Sequence, residues 1–237
     1  MTLRPHAAVP QPLELPVRYL DDDLVVVVKP AGMATHPGPG WWQGSCVNAL
    51  LFHIPTWPGV GGVAGPGIVH RLDVETSGLL LFARSQRAHR PLLETVAQRR
   101  MRRGYLAWVE GQVDDAGWVE APLGRDDHDT QRVVVRSDGK AALTHYAPLC
   151  QREGRSLLRL QLETGRTHQI RVHMAHRGWP VVGDRRYGTA GPVMALHAGF
   201  LALAHPITGE PLQWIEGPPA TWDPWGELPD PAWCWPA

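Results

Sequence analysis

Cysteine is scarce in this chain. Its 237 residues include three, Cys46, Cys150 and Cys234, widely spaced and never arranged as C-x-x-C. An odd number at such spacing argues against a disulfide scaffold and a thiolate zinc site, and it predicts a reducing compartment. Long apolar runs are missing as well. No stretch approaches the roughly 18 residues that cross a bilayer, and the amino terminus carries no apolar signal core. These absences predict a cytoplasmic protein with no membrane partner. Lysine is nearly absent: Lys29 and Lys140 are the two among 23 basic residues. Arginine therefore supplies almost every cation, which either favours planar bidentate contacts to phosphate and carboxylate or reflects a bias in composition. No Rossmann or P-loop glycine pattern occurs, no fixed-period repeat, and no G-x-S-x-G elbow for a serine hydrolase.

What is present is an ordinary globular composition, 43% hydrophobic and 19% charged, with 25 Gly and 23 Pro marking many turns. A chain of this length buries roughly 70% of its extended surface, enough for one substantial core. Net charge is zero, but the charge is not evenly spread. From Arg71 to Arg186 there are 20 basic and 14 acidic residues, whereas residues 206–237 hold five acids and no Lys or Arg. One positive face in the middle of the chain is the kind of field that attracts nucleic acid.

Residues 1–14 are Pro-rich and read as a loose arm. Residues 17–20 and 24–28 read as two short strands around the turn Asp21-Asp22-Asp23, and Pro30 ends the second. A short helix over VNALLFHI is capped by Ser45. Residues 79–83 read as a buried strand, and residues 86–100 as a basic amphipathic helix with Pro91 in its first turn. Further short strands are expected at 105–109, 132–135, 142–146, 157–162 and 181–182, with a helix over 169–176 stopped by Gly178 and Pro180. A strand or strand pair follows within 192–204. Many strands with few helices predict an α+β fold around a mixed or largely antiparallel sheet. Residues 217–237 hold four Trp among several Pro, which suits a tail packed against the body through its indole rings.

Three segments carry polar groups in patterns that chemistry uses. In GIVHRLDVETSGLLLFA (residues 67–83) an apolar approach ends at His70-Arg71-Leu72-Asp73, and Thr76-Ser77-Gly78 turns the chain into a strand. Asp73 there is a nucleophile or base held by rigid elements, or a buried Asp that accepts turn amides. In residues 162–187, Arg166, His168, Arg171, His173, His176, Arg177, Arg185 and Arg186 crowd into 21 positions around a helix. Arg166, beside Gly165, is placed to reach a phosphate or carboxylate. The spacing of His168, His173 and His176 differs from H-E-x-x-H, and its Arg neighbours disfavour a cation, so no metal is expected. In MRRGYLAWVEG (residues 101–111), Tyr105 opens a strand beside Arg103; its ring stacks on a base, serves in proton transfer, or packs in the core.

With these residues in hand, the chain closely resembles the RNA pseudouridine synthases that modify ribosomal and transfer RNA. The hallmark H-R-L-D stands at residues 70–73 with Thr76-Ser77-Gly78 after it. VVVVKPAGMATHPG (25–38), VNALL (47–51), DGKAALTHY (138–146), TGRTHQIRVHMAHRGWPVVGDRRYG (164–188) and LHAGFLALAHPITGE (196–210) agree in order. The match runs from about residue 15 to 215. It implies a single catalytic domain over 15–216, built on a mixed, largely antiparallel sheet around an RNA-holding cleft. It implies an isomerase that breaks the C1′–N1 bond of a uridine, turns the uracil and joins C5 to C1′. The change is redox-neutral, so neither metal nor organic cofactor is expected.

By the same resemblance Asp73 matches the essential aspartate, Tyr105 the tyrosine that stacks with the target uracil, and Arg166 the arginine that pairs with the aspartate. Arg71 matches the arginine that helps to displace the target nucleotide. His70, Arg103, His168, Arg171, His173 and Arg185 complete the expected RNA contacts. The substrate class is structured RNA, 23S rRNA or tRNA, taken by a monomer. The chain departs from many relatives at Arg103, commonly Lys, at Val74 and Glu75, commonly Lys and an acid, and at Asp126 and Asp127 in a loop that is often more basic. Many relatives also carry an S4-type module of about 60 residues ahead of the catalytic region. Only about 15 residues precede the match here, so recognition is expected to rest on the catalytic domain. The alternatives are a catalytically silent RNA-binding protein or chaperone on the same fold, and a metal-dependent hydrolase or nuclease using Asp73 and the histidines.

Overall fold

The computed structural model describes residues 8–38, 41–55, 57, 60, 66–225 and 235. The chain divides into two compact units: residues 1–101 with 202–214, and residues 102–201 with 215–237.

In the first unit, β1 (Val17–Leu20) and β2 (Leu24–Lys29) form an antiparallel hairpin, and β2 pairs antiparallel with β3 (Ser77–Ala83). The turn between β1 and β2 is fixed by the Asp21 carboxylate, which accepts the amides of Asp23 and Leu24 at 2.7 and 2.8 Å. This is the local bond that makes Asp a turn former. Strand β3 is buried along its whole length, which explains why it reads as a continuous apolar run rather than an alternating one. Helix α1 (Cys46–His53) begins at a capping box in which Ser45 and Asn48 bond reciprocally.

Asn48 also corrects the expectation of a loose arm. Its side chain donates to Val9 O at 2.7 Å, its carbonyl accepts from Gln11 N, and His53 Nε2 meets Leu13 O. Residues 9–13 are thus tied to α1, while residues 1–7 lie outside the described residues. Helix α2 (Gln86–Ala97) is capped by Ser85 and stops short of residue 100. Its Pro91 is the sixth helical residue and not part of the first turn. One backbone bond is lost there, and the helix is held by its buried face, Ala88, Leu92 and Thr95.

The second unit starts with β4 (Arg102–Glu110), followed by β5 (Gly117–Glu120), β6 (Leu123–Arg125), β7 (Val133–Val135), β8 (Leu143–Arg152) and β9 (Arg155–Leu162). Helix α3 (Gln169–His176) and β10 (Leu196–Ala204) follow; the last three residues of β10 and nearly all of β11 (Pro211–Ile215), which pairs with β10, are counted in the first unit. The strand order is β10-β4-β9-β8-β5, with β6 and β7 forming a separate two-stranded ribbon. The pairs β4–β9, β9–β8 and β8–β5 are antiparallel. Val181 and Val182 do not form a strand; Val181 makes a single antiparallel bridge to Val109.

Strands, three helices and a short 3-10 helix at Ala220–Trp225 make the fold α+β. A cluster of Leu123, Val133, Ala142 and Val172 packs α3 against the ribbon. In the C-terminal segment Trp222 and Trp235 are buried, Trp222 edge-on to His197 and Trp235 stacked on Phe200; Trp233 lies outside the described residues. No helix among the described residues is long and apolar enough to cross a membrane.

Candidate active site

In the first unit the site is built around the bend Arg71-Leu72-Asp73-Val74. Arg71 is exposed and Asp73 half-buried. The residues on either side of Asp73 are fixed by groups from the K-P-A-G-M-A-T segment. Thr35 Oγ1 accepts the Leu72 N–H at 3.2 Å and donates to the Leu72 carbonyl at 3.1 Å. The Val74 carbonyl accepts from Gly32 N at 2.8 Å and from Lys29 Nζ at 2.9 Å. The Asp73 carbonyl accepts from Thr76 N at 3.1 Å. Backbone on both sides of the carboxylate is therefore bonded to a different part of the chain, which fixes where the side chain starts.

Lys29 is the residue that a sequence reading misses. It is fully buried, and its ammonium donates to the carbonyls of Pro30, Met33 and Val74 at 2.8–2.9 Å. Burial brings its pKa from the ordinary lysine value down to about 8, against the opposing pull of the Cys46 and Asp73 side chains. Cys46, buried beside it, is pushed up to about 12 by the same loss of solvent. The signal of Lys29 in the sequence is one isolated Lys at the end of an apolar run, VVVVK.

His70 is buried, and its Nε2 accepts the Leu81 amide at 3.0 Å. That bond joins the motif to the middle of β3, so His70 acts on the loop rather than at an exposed RNA surface.

In the second unit, Arg103 and Tyr105 lie two apart on β4 and so face the same side of the strand. Tyr105 is nearly buried and pairs across the ladder with Leu160. The Arg103 guanidinium lies against Gly165: a Cβ there would come within 2.9 Å of Nη1. A residue without a side chain at 165 is what lets this cation approach the loop that carries Arg166.

That loop is set by Gln169, the first residue of α3. Its Oε1 accepts Arg166 N at 3.0 Å and Thr164 Oγ1 at 2.7 Å, while its Nε2 donates to Leu143 O and Thr144 Oγ1. A buried amide with all these bonds made fixes its neighbours. The Arg166 side chain is exposed, and its Nε donates to Ala141 O at 3.1 Å. A polar first residue of a helix carries no sequence signal of this role, since its partners Leu143 and Thr144 lie more than 20 positions away.

The basic run around α3 separates into two groups. Arg166 and Arg185 are exposed and His168 is half-buried. His168 sits in the left-handed backbone region with φ 56° and meets Tyr187 Oη at 2.7 Å through Nδ1. Arg171 and His173 point inward, which corrects their expected RNA contacts. Arg171 pairs bidentately with the buried Asp184 at 2.7 and 2.9 Å. Burial alone would raise the Asp184 pKa, but the Arg171 bonds and charge hold it below the ordinary value. His173 is fully buried between Thr144 Oγ1 at 2.9 Å and Ala121 O at 3.0 Å, and burial lowers its pKa. Its Nε2 donates to that carbonyl, so its Nδ1 is the acceptor. Both residues serve to seat α3.

This arrangement offers a fixed, partly exposed carboxylate in one unit, and an aromatic ring with exposed arginines in the other. Among the described residues no three His, Cys, Asp or Glu side chains converge as a metal cluster would.

Comparison with known proteins assigns the chain. A family model for RNA pseudouridylate synthase matches residues 23–176. An uncharacterized RNA pseudouridine synthase of Bacillus subtilis (strain 168), YlyB, is 45% identical over 84% of this chain and 68% of its own length. An uncharacterized RNA pseudouridine synthase of Chloroflexus aurantiacus is 50% identical over 76% of this chain, and the match spans 58% of that longer protein. The ribosomal large subunit pseudouridine synthase D of Pseudomonas aeruginosa is 40% identical over 86% of this chain and 68% of its own length. Among solved structures, human RNA pseudouridylate synthase domain containing 1 superposes with a TM-score of 0.72 at 25% identity, covering 92% of this chain and 87% of that one. The family match and these identities show that the chain belongs to the RNA pseudouridylate synthases, isomerases that act on RNA.

Proposed function

We propose that this protein converts uridines of large-subunit ribosomal RNA to pseudouridine, with Asp73 as its catalytic carboxylate. The observation that carries the assignment of Asp73 is the double anchoring of its neighbours, Leu72 by Thr35 and Val74 by Lys29 and Gly32. A turn aspartate with a merely local role has no need of two long-range anchors. The large-subunit substrate is supported by the printed names of relatives such as the Pseudomonas and Xanthomonas proteins, the latter 42% identical over 88% of this chain.

In this reading the target nucleotide leaves its stack, at an expense of a few kcal/mol, and Arg71, exposed beside the motif, helps to displace it. Asp73 assists cleavage of the C1′–N1 bond. The freed uracil stays bound, turns and joins C1′ through C5. Enclosure keeps the two fragments together, so that rejoining is effectively intramolecular. Tyr105 supplies a ring for the uracil and a hydroxyl for removal of the C5 proton. Arg166, its backbone set by Gln169, supplies an exposed cation of the second unit. No metal or organic cofactor enters these steps.

The experiment is a comparison of unmodified transcripts. Purified protein is incubated with large-subunit rRNA and with a set of tRNAs, and pseudouridine is mapped by carbodiimide-dependent reverse-transcription stops. The expected result is stops at one or a few uridines of the rRNA. Stops confined to tRNA would overturn the substrate, and none on any RNA would favour a binding-only protein.

A further inference from the structure

A second cationic feature lies wholly within the second unit. Arg102, Arg103 and Gly104 at the start of β4, Arg159 and Gln161 of β9, Phe200 of β10 and Trp235 of the C-terminal segment line a small solvent-open slot. Three of these seven residues are arginines and none is an acid.

The slot is a built feature. Trp235 stacks on Phe200 with ring centroids 5.2 Å apart and planes 26° apart, and the Arg102 guanidinium lies 5.3 Å from the Phe200 centroid. Trp235 can seat there only because position 104 is glycine: a Cβ at 104 would overlap the indole ring. The chain thus brings an aromatic residue back from more than 30 positions beyond β10 to close one wall.

On the face of β4 that carries Arg102 and Gly104, one N–H of the slot is buried without a hydrogen-bond partner among the described residues, Trp235 Nε1. More than nine in ten buried polar groups in folded proteins are satisfied. A buried donor left unpaired costs about 1–3 kcal/mol, more when it is charged. An orphan indole donor beside Arg102 and Arg159 marks the place of an acceptor from outside the chain. A tetrahedral oxyanion suits the slot, because guanidinium and indole N–H groups donate and neither accepts.

We propose that this slot binds a backbone phosphate of the RNA, at a nucleotide other than the one that reacts. The proposal rests on the RNA-modifying activity above and adds a contact that the catalytic residues do not make. Gly104 lies between Arg103 and Tyr105, so a phosphate held here would also fix the strand that presents Tyr105.

The test uses the full chain and a fluorescently labelled large-subunit rRNA transcript, with affinity measured across a series of salt concentrations. Arg159→Gln should weaken binding and lower the slope of log affinity against log salt by about 1. Arg102→Gln, at an exposed position, should do the same and serves as the second variant if the first misfolds. Trp235→Phe keeps a stacking ring and removes the N–H; it should weaken binding by about 3- to 10-fold, as expected for one lost hydrogen bond, with the slope unchanged. Far-ultraviolet circular dichroism checks the fold of each variant. Wild-type affinity and slope in all three folded variants would overturn the subsite while leaving RNA modification intact. No RNA binding by the wild type would overturn both. A parallel titration with inorganic phosphate separates free anion from polymer. Saturation at micromolar phosphate, lost in Arg159→Gln and without effect on RNA affinity, would assign the slot to a free phosphate and overturn the RNA contact.

Discussion

The two units each bury a cation, and they do so in opposite ways. In the first, Lys29 has no acid bonded to it and is satisfied by three backbone carbonyls. In the second, Arg171 is bonded bidentately to the buried Asp184, whose Oδ1 also accepts the amides of Arg186 and Tyr187. A lysine ammonium is a point charge with three donors, well suited to drawing together carbonyls from separate loops. A guanidinium is a planar fork suited to one carboxylate. The Arg171 pair seats a helix, whereas Lys29 gathers the backbone around Asp73 and leaves that carboxylate out of its own bonding. The burial of charge near the reacting group is thus arranged to shape the loop without binding Asp73 directly.

The comparison can be broken from either side. The largest loss is expected from Asp184→Ala, which removes the bidentate carboxylate from the buried Arg171. Removing one partner of such a pair typically costs ~3–5 kcal/mol, measured here by urea unfolding. Lys29→Met should lose less, about 2–3 kcal/mol, because three orphaned carbonyls are partly offset by the removal of a desolvated charge.

That second variant also carries a pH signature. The Lys29 pKa is about 8 in the folded chain, below its ordinary value of 10.5. Between these values unfolded Lys29 binds more protons than folded Lys29, so its contribution to wild-type stability rises with pH across that window and its burial penalty is complete below pH 8. The stability gap between wild type and Lys29→Met should therefore widen from pH 8 to 10.5. A constant gap would mean that Lys29 is not desolvated. The smallest change in stability is expected from Thr35→Val, about 1–2 kcal/mol for the lost bonds to Leu72. Its kcat should nevertheless fall about tenfold with KM unchanged, since the backbone beside Asp73 loosens; an unchanged kcat would remove Thr35 from positioning.

Local signals explain what was legible. Ser45 and Asn48 are neighbours in sequence, and so α1 and its cap were readable. The α3 boundaries followed from Gly178 and Pro180, and β1 from the Asp turn. The roles expected of Asp73, Tyr105 and Arg166 rest on the family resemblance alone. Partners distant in the chain were not legible. Arg171 at helical spacing looks like a solvent-facing cation until Asp184 is known to lie against it. Lys29 looks like the end of a strand until Val74, 45 residues on, is seen to accept from it. The short strands β5 and β6 escaped because three or four residues such as GWVE carry too little alternation to separate strand from turn. Strand β11 escaped because Pro211 opens it and the apolar run ends earlier.

The central claim is that the anchored carboxylate of Asp73 makes pseudouridine. It is tested most directly by carbodiimide mapping of total RNA from cells expressing either the wild-type protein or Asp73→Asn at equal abundance. The account predicts that stops at specific large-subunit rRNA uridines vanish in Asp73→Asn while the variant retains wild-type thermal stability and RNA affinity. Persistence of every stop in cells whose only copy is Asp73→Asn would contradict it.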